Sequence, residues 1–220
     1  MTPAGREGGA AIAFVSIFMC PAIAEAHSPI EGLGTFYAQL LHPVVVPSHT
    51  LLLVATALLL GQQGRSGARA GVVALGLTFI AGFLAATTGA ISGVRENILL
   101  LGALALGGLM GLDLRIPSAV TAAAGALTGL AIGLDSATNN SGLREAALGL
   151  VGVTIGVMYL TVIISGAAVG LVAHWQRVGI RIAGAWIAAI SLMVLALSVA
   201  TPVKRATAAF AHPLDLASPC

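Results

Sequence analysis

The chain has 220 residues, of which 58% are hydrophobic and 8% charged, and its mean hydropathy is +1.01. A soluble domain carries about 25% charged residues, so a sequence this apolar is predicted to be an integral membrane protein. The net charge of +2, with no basic stripe, excludes a nucleic-acid-binding protein.

The first 26 residues have the pattern of a cleavable signal peptide. Arg6 precedes an apolar core at residues 10–20, and Ala24-Glu25-Ala26 is an A-x-A cleavage site. The alternative is an uncleaved first helix, but segment 10–24 is short of the roughly 20 apolar residues that a span needs. Cleavage after Ala26 would leave His27 as the mature N-terminus.

Six apolar segments follow. Because backbone polar groups in lipid must be satisfied within the segment, each is predicted to be an α-helix. The sequence therefore predicts an all-α membrane protein, with a domain of about six transmembrane helices at residues 27–200 and a flexible tail at 201–220. Small-residue spacings within the segments indicate close helix packing. The segments lie near residues 36–61, 70–92, 97–114, 117–135, 145–173 and 179–200.

The distribution of Lys and Arg predicts the orientation in the membrane. With residue 27 outside, five arginines fall on the inner side and four basic residues on the outer side. The bias is small, and Lys204 and Arg205 oppose it because six helices place them outside. In this orientation His27, His42, His49 and Asp135 all lie on the outer side.

The stretch HPVVVPSHT, residues 42–50, heads the first apolar segment. On a straight helix His42 and His49 would lie about 10 Å apart along the axis, too far to share one metal ion with bonds of about 2.1 Å. Pro43 and Pro47 disfavour a continuous helix. An irregular chain at 42–48 would let His42 fold back toward His49 and line a cavity. Alternatively, the prolines mark an ordinary helix start and both histidines are interfacial.

Two further residues are candidate metal ligands. After cleavage, His27 would combine an α-amine with an imidazole, a chelating pair for borderline divalent metals; alternatively it is a solvated terminal histidine. Asp135 is the carboxylate nearest an apolar segment on the outer side, where ionisable residues are functional candidates. Alternatively, it is a boundary residue of a polar loop.

The A-x-A site followed at once by histidine, and then GLGTFYAQLLHPVVVPSHTLLLVATALLLGQQG, resembles the HupE/UreJ family. The family's first-helix motif, H-P-x-x-G-x-D-H, is matched by His42, Pro43 and His49, whereas Ser48 stands in place of its aspartate. Its second motif, H-G-x-A-H-G-x-E, aligns without gaps with TGLAIGLD at residues 128–135, where Gly129, Ala131 and Gly133 match. There Asp135 stands for the glutamate, and Thr128 and Ile132 replace both histidines.

The resemblance implies a small multi-pass permease of the bacterial inner membrane that carries a divalent metal ion, with nickel and cobalt as the first candidates. It implies His42, His49 and perhaps His27 as capture ligands, with Asp135 facing the same cavity. It also implies partners in metalloenzyme maturation, beside the lipid bilayer. The ion would be cargo and not a bound cofactor.

The loss of both second-motif histidines leaves a second hypothesis open, a non-transporting membrane accessory or scaffold protein. No G-x-x-x-x-G-K-[ST] loop or H-E-x-x-H motif is present, and the chain is expected not to be an enzyme. A third reading, an intramembrane hydrolase using His42, Ser48 and Asp135, has nothing in their spacing that demands it.

Overall fold

The structure is a computed structural model that describes residues 34–88, 94, 96–112, 114–137 and 142–211, with side chains described to residue 198. The predicted signal peptide and His27 lie outside the described residues. Seven α-helices and no strand form within the described ranges. They are α1 (Thr35–Val45), α2 (Pro47–Gln62), α3 (Gly64–Thr87), α4 (Glu96–Gly111), α5 (Ser118–Ser136), α6 (Leu143–Gly170) and α7 (His174–Ala211).

Each of the six predicted apolar segments corresponds to a helix or, for the first, to a pair of helices. Four helices, α3, α5, α6 and α7, are long and apolar enough to cross a membrane. The bent pair α1 and α2 passes the same test when it is taken as one span, which gives five. Helix α4 is apolar but has 16 residues, about 24 Å at 1.5 Å per residue, against a hydrocarbon core of about 30 Å.

Helix α2 lies at the centre of the bundle. It packs against α3, α4, α5, α6 and α7, and ten of its 16 residues are buried. Its side chains, including Leu52, Leu53 and Ala55, join the main apolar cluster with residues of α3, α4, α5 and α6. A helix that is apolar on all sides is typical of a core position, and α2 is therefore the helix around which the others are arranged.

Glycines allow the most extensive helix contact, between α3 and α5. A Cβ atom at Gly125, Gly129 or Gly133 would collide with the backbone carbonyl oxygens of Gly71, Leu75 or Phe79, respectively. These glycines recur every four residues and so lie on one face of α5. Helices α3 and α5 therefore meet backbone to backbone along this set, a close approach that small residues allow.

The same arrangement recurs between α1 and α6. A Cβ atom at Gly152 would lie 2.5 Å from the carbonyl oxygen of Phe36, and one at Gly156 would collide with that of Leu40. Helix α1 is thereby held against the middle of α6, and the position of its last turn is fixed. That turn carries His42.

The last helix continues to Ala211, past the predicted boundary at residue 200. Residues 201–211 of the predicted flexible tail are therefore helical, and residues 212–220 lie outside the described residues. Lys204 and Arg205 therefore lie within the C-terminal part of α7.

Candidate functional site

The first apolar segment is broken at a single residue. Helix α1 runs through Pro43 to Val45, Val46 is extended, and α2 begins at Pro47 with a bend of 68°. The prediction of an irregular chain over 42–48 is therefore wrong in extent, although the break itself is present. Pro47 occupies the first turn of α2, where its missing N–H costs no helical hydrogen bond, so the break and the helix start coincide.

Thr50 stabilises the bend through its side chain. In a continuous helix the N–H of residue 47 would donate to the carbonyl of Pro43, but Pro47 has no N–H. The Thr50 hydroxyl donates to that carbonyl instead, at 2.8 Å, and lies 3.1 Å from the carbonyl of Val44. A side chain thus satisfies backbone groups that the proline leaves open.

The bend brings the two histidines of the first motif together. The ring centroids of His42 and His49 are 5.1 Å apart, with the rings inclined at 72°. Two imidazoles that bind one ion through bonds of about 2.1 Å would have centroids roughly 4.5–6.5 Å apart. The separation that a straight helix imposes is therefore removed by the bend.

Asp135 joins His49 from a distant part of the sequence. Its Oδ2 lies 2.9 Å from Nε2 of His49, and the residues are 86 positions apart. His49 is fully buried, whereas the Asp135 side chain is 19% exposed. An ionised carboxylate only accepts hydrogen bonds, so with Asp135 charged the N–H of the pair lies on Nε2 of His49.

The other nitrogen of His49, Nδ1, is buried and has no hydrogen-bond partner among the described residues. With the proton on Nε2, Nδ1 carries a lone pair. A histidine that binds a metal usually donates its second ring N–H to a carboxylate or carbonyl. The arrangement around His49 has this form, with Asp135 as the orienting group.

Two helix C-termini converge at the site. His42 lies in the last turn of α1, and Asp135 in the last turn of α5. The carboxyl end of a helix carries a partial negative charge that favours cations and disfavours a carboxylate. Placing Asp135 there costs stability, which the hydrogen bond from His49 offsets in part. The N-terminus of α2, at the same place, opposes this field.

The positions at which the family's second motif has histidines take other roles here. The Thr128 hydroxyl lies 2.9 Å from that of Thr56, and Thr56 also donates to the carbonyl of Leu52 at 2.7 Å. Ile132 is fully buried in the main apolar cluster. Neither position carries an imidazole, so the imidazole and carboxylate groups that meet near the bend are those of His42, His49 and Asp135.

Within the described ranges, no three or more His, Cys, Asp or Glu side chains are arranged so that they could hold one metal ion together. His49 belongs to both pairs, His42–His49 and His49–Asp135. Asp135 bonds Nε2 of His49 and does not contact its Nδ1. The geometry at this site therefore corresponds to two imidazoles with an orienting carboxylate. His27, the fourth predicted ligand, lies outside the described residues.

Sequence reasoning missed Thr50 and the pair Thr56–Thr128. A signal was present for the pair, because His49 and Thr56 are spaced by seven on α2, and Thr121, Thr128 and Asp135 are spaced by seven on α5. Seven residues correspond to two helical turns on one face. Polar residues at that spacing in two apolar segments indicate that the two faces meet.

Comparison with known proteins gives one match. The model of the family described as HupE / UreJ protein matches residues 15–197. A search of curated proteins and a search of solved structures found no match.

Proposed function

Because the chain belongs to the HupE/UreJ family, we propose that it is an inner-membrane permease for a divalent transition metal ion, nickel or cobalt before others. The observation that carries the proposal is the bend between α1 and α2, which places His42 against His49 beside the Asp135 carboxylate. Imidazole is a preferred ligand of nickel, copper and zinc, and geometry selects among them.

In this proposal, Nδ1 of His49 and the ring of His42 capture the ion, and Asp135 acts through His49. The carboxylate holds the His49 ring in one tautomer and supplies negative charge close to the cation. This differs from a direct oxygen ligand, the role that the sequence suggested for Asp135. Two protein ligands leave coordination positions for water, which suits capture that is weak enough for release.

The proposal retains four further expectations from the sequence: six spans, an outer-facing site, a cleaved signal peptide and His27 as an additional chelating ligand. The mass of the purified mature protein tests cleavage after Ala26. Metalloenzyme maturation proteins remain the proposed partners. The chain has no proposed catalytic role, since Asp135 bonds His49, whereas a hydrolase built on Ser48 would need it to orient His42.

The test is uptake of Ni²⁺ by cells that express the chain, with Co²⁺, Zn²⁺ and Cu²⁺ run alongside. The double variant His42→Ala/His49→Ala is compared at equal membrane levels with His174→Ala, which removes an exposed histidine at the start of α7. We expect the double variant to lose uptake of one ion and His174→Ala to retain it. Binding of the same ions to the purified chain, measured by calorimetry, separates capture from transport.

The second candidate is a membrane accessory protein that has kept the fold without transport. It is favoured by Thr128 and Ile132, which replace the second-motif histidines with a hydroxyl and an apolar side chain. Equal uptake with and without the chain for all four ions, together with no measurable binding, would establish this alternative against the permease.

A further inference from the structure

A groove between the start of α3 and the end of α6 lies at the opposite end of the bundle from Asp135. Its volume is about 680 Å³. Gln63, between α2 and α3, donates to the carbonyl of Leu114 and accepts from the N–H of Ile116. These two residues precede the start of α5, whereas Asp135 lies in its last turn, so the connection between α2 and α3 is at the end of the bundle opposite Asp135. The groove shares no lining residue with the histidine site. Its lining is Arg65, Ala68, Arg69, Val72, Val162, Ser165, Gly166, Val169 and Gly170.

The walls and the mouth of this groove differ in chemistry. Valines and small residues form the walls, and within the described part of the chain the charges in the lining come from two arginines, one helical turn apart on α3. Arg65 and Arg69 are both exposed, and no ion pair within the described residues involves either of them. Among the residues that the structure describes, no carboxylate lines the groove to compensate the two positive charges.

We propose that this groove binds one anionic phospholipid, whose phosphate contacts Arg65 and Arg69 and whose acyl chain lies along Val72, Val162 and Val169. Guanidinium groups form charge-assisted hydrogen bonds with phosphate oxygens, and basic pockets between transmembrane helices bind anionic headgroups. The apolar walls distinguish a lipid from free phosphate, because free phosphate gains nothing from them. In the predicted orientation, this end faces the cytoplasmic leaflet.

The contacts of α3 and α6 give the site a structural consequence. Helix α3 packs chiefly on α5 and less extensively on α6, and at Gly166 and Gly170 the α6 surface is open, since a Cβ atom there would meet nothing within 4 Å. A lipid in the groove would join the α3–α5 pair to α6. This inference does not depend on metal transport.

The test uses the purified full chain and two lipids with identical chains, dioleoyl phosphatidylglycerol and dioleoyl phosphatidylcholine, with binding measured by native mass spectrometry. We expect the phosphatidylglycerol to bind more tightly. The variant Arg65→Gln/Arg69→Gln should weaken its binding about tenfold or more. The matched control Arg115→Gln/Arg177→Gln removes the same charge outside the groove and should leave the binding unchanged.

Gly166→Leu tests the acyl-chain part of the site, because a Cβ atom at Gly166 would meet nothing within 4 Å and the larger leucine side chain would occupy space in the groove. It should weaken phosphatidylglycerol binding while both arginines remain. Unchanged binding in Gly166→Leu, or an equal loss in the Arg115/Arg177 control, would overturn the proposal. Binding of glycerol 3-phosphate as tight as that of the lipid would instead identify a phosphate site. The Gly166→Leu and glycerol 3-phosphate results decide the question even if the double arginine variant fails to fold.

Discussion

One hydroxyl group, that of Thr50, stabilises the bend at Val46, and replacing Thr50 by valine tests how the candidate site is held. Valine keeps the size and branching of threonine but cannot donate to the Pro43 carbonyl, which the hydroxyl contacts at 2.8 Å. Because Pro47 has no N–H, the backbone in its present bend cannot replace that donor. The carbonyl of Pro43 would be left without this hydrogen bond.

The cost follows from the value of such a bond. Leaving a buried carbonyl unsatisfied costs about 1–3 kcal/mol, and side-chain hydrogen bonds in membrane proteins average about 0.6 kcal/mol with a maximum near 1.7. We therefore expect Thr50→Val to lose about 1–2 kcal/mol of stability. For a chain of this size, that corresponds to a Tm lower by roughly 2–8 °C.

The assay is thermal unfolding of the purified protein in detergent, with Ni²⁺ binding measured on the same samples. Thr50→Ser retains the hydroxyl and is the matched control, so it should remain close to the parent chain in both measurements. Thr50→Val should also bind the ion more weakly, because the relative position of His42 and His49 is set by the bend. A valine variant that equals the serine variant in Tm and in ion binding would refute the reasoning.

Three further substitutions test other contacts. Asp135→Asn keeps a hydrogen-bond acceptor but removes the charge. It should lower the ion affinity measured by calorimetry about 10–100-fold, with little change in Tm. An unchanged affinity would exclude an orienting role for the carboxylate. Thr56→Val should lower stability by about 0.6–2 kcal/mol. Adding Thr128→Val should restore part of that stability, because both polar partners are then absent. Additive losses in a double-mutant cycle would show that the two hydroxyls are not coupled. Gly129→Val inserts a side chain where α3 and α5 meet and should cost about 1–3 kcal/mol or more. Gly108→Ala, whose Cβ would meet nothing, should leave the Tm unchanged or slightly higher, because alanine is the better helix former. An equal loss of stability in the two variants would contradict the backbone contact.

Local sequence pattern was enough to predict the helices and the break. Apolar length and the placement of Gly and Pro are properties of neighbouring residues, and the six predicted segments correspond to the helices of the structure. The signal peptide stays a prediction, because it lies outside the described residues. The extent of the break was not predictable, because Pro43 is compatible with a helix that ends two residues later and Pro47 with one that starts there. The packing of α1 on Gly152 and Gly156, which the local pattern does not show, fixes the position of α1 next to the break.

The candidate site was predicted as residues but not as an arrangement. The sequence placed His42, His49 and Asp135 on one side of the membrane, yet it assigned Asp135 as an oxygen ligand. The tertiary structure instead directs its carboxylate to Nε2 of His49 and leaves Nδ1 of His49 for other chemistry.

The sequence by itself determined that this chain forms apolar helices, and that two prolines and two histidines lie together in the first apolar segment. These depend on interactions between residues a few positions apart. The tertiary structure decided that α5 meets α2 through Asp135 and Thr128, that α3 meets α5 through glycines, and that Arg65 and Arg69 face a groove beside α6. Helices that are apolar on nearly every side show little preference for which face turns inward, so only the fit of small residues and a few polar contacts could select the partners.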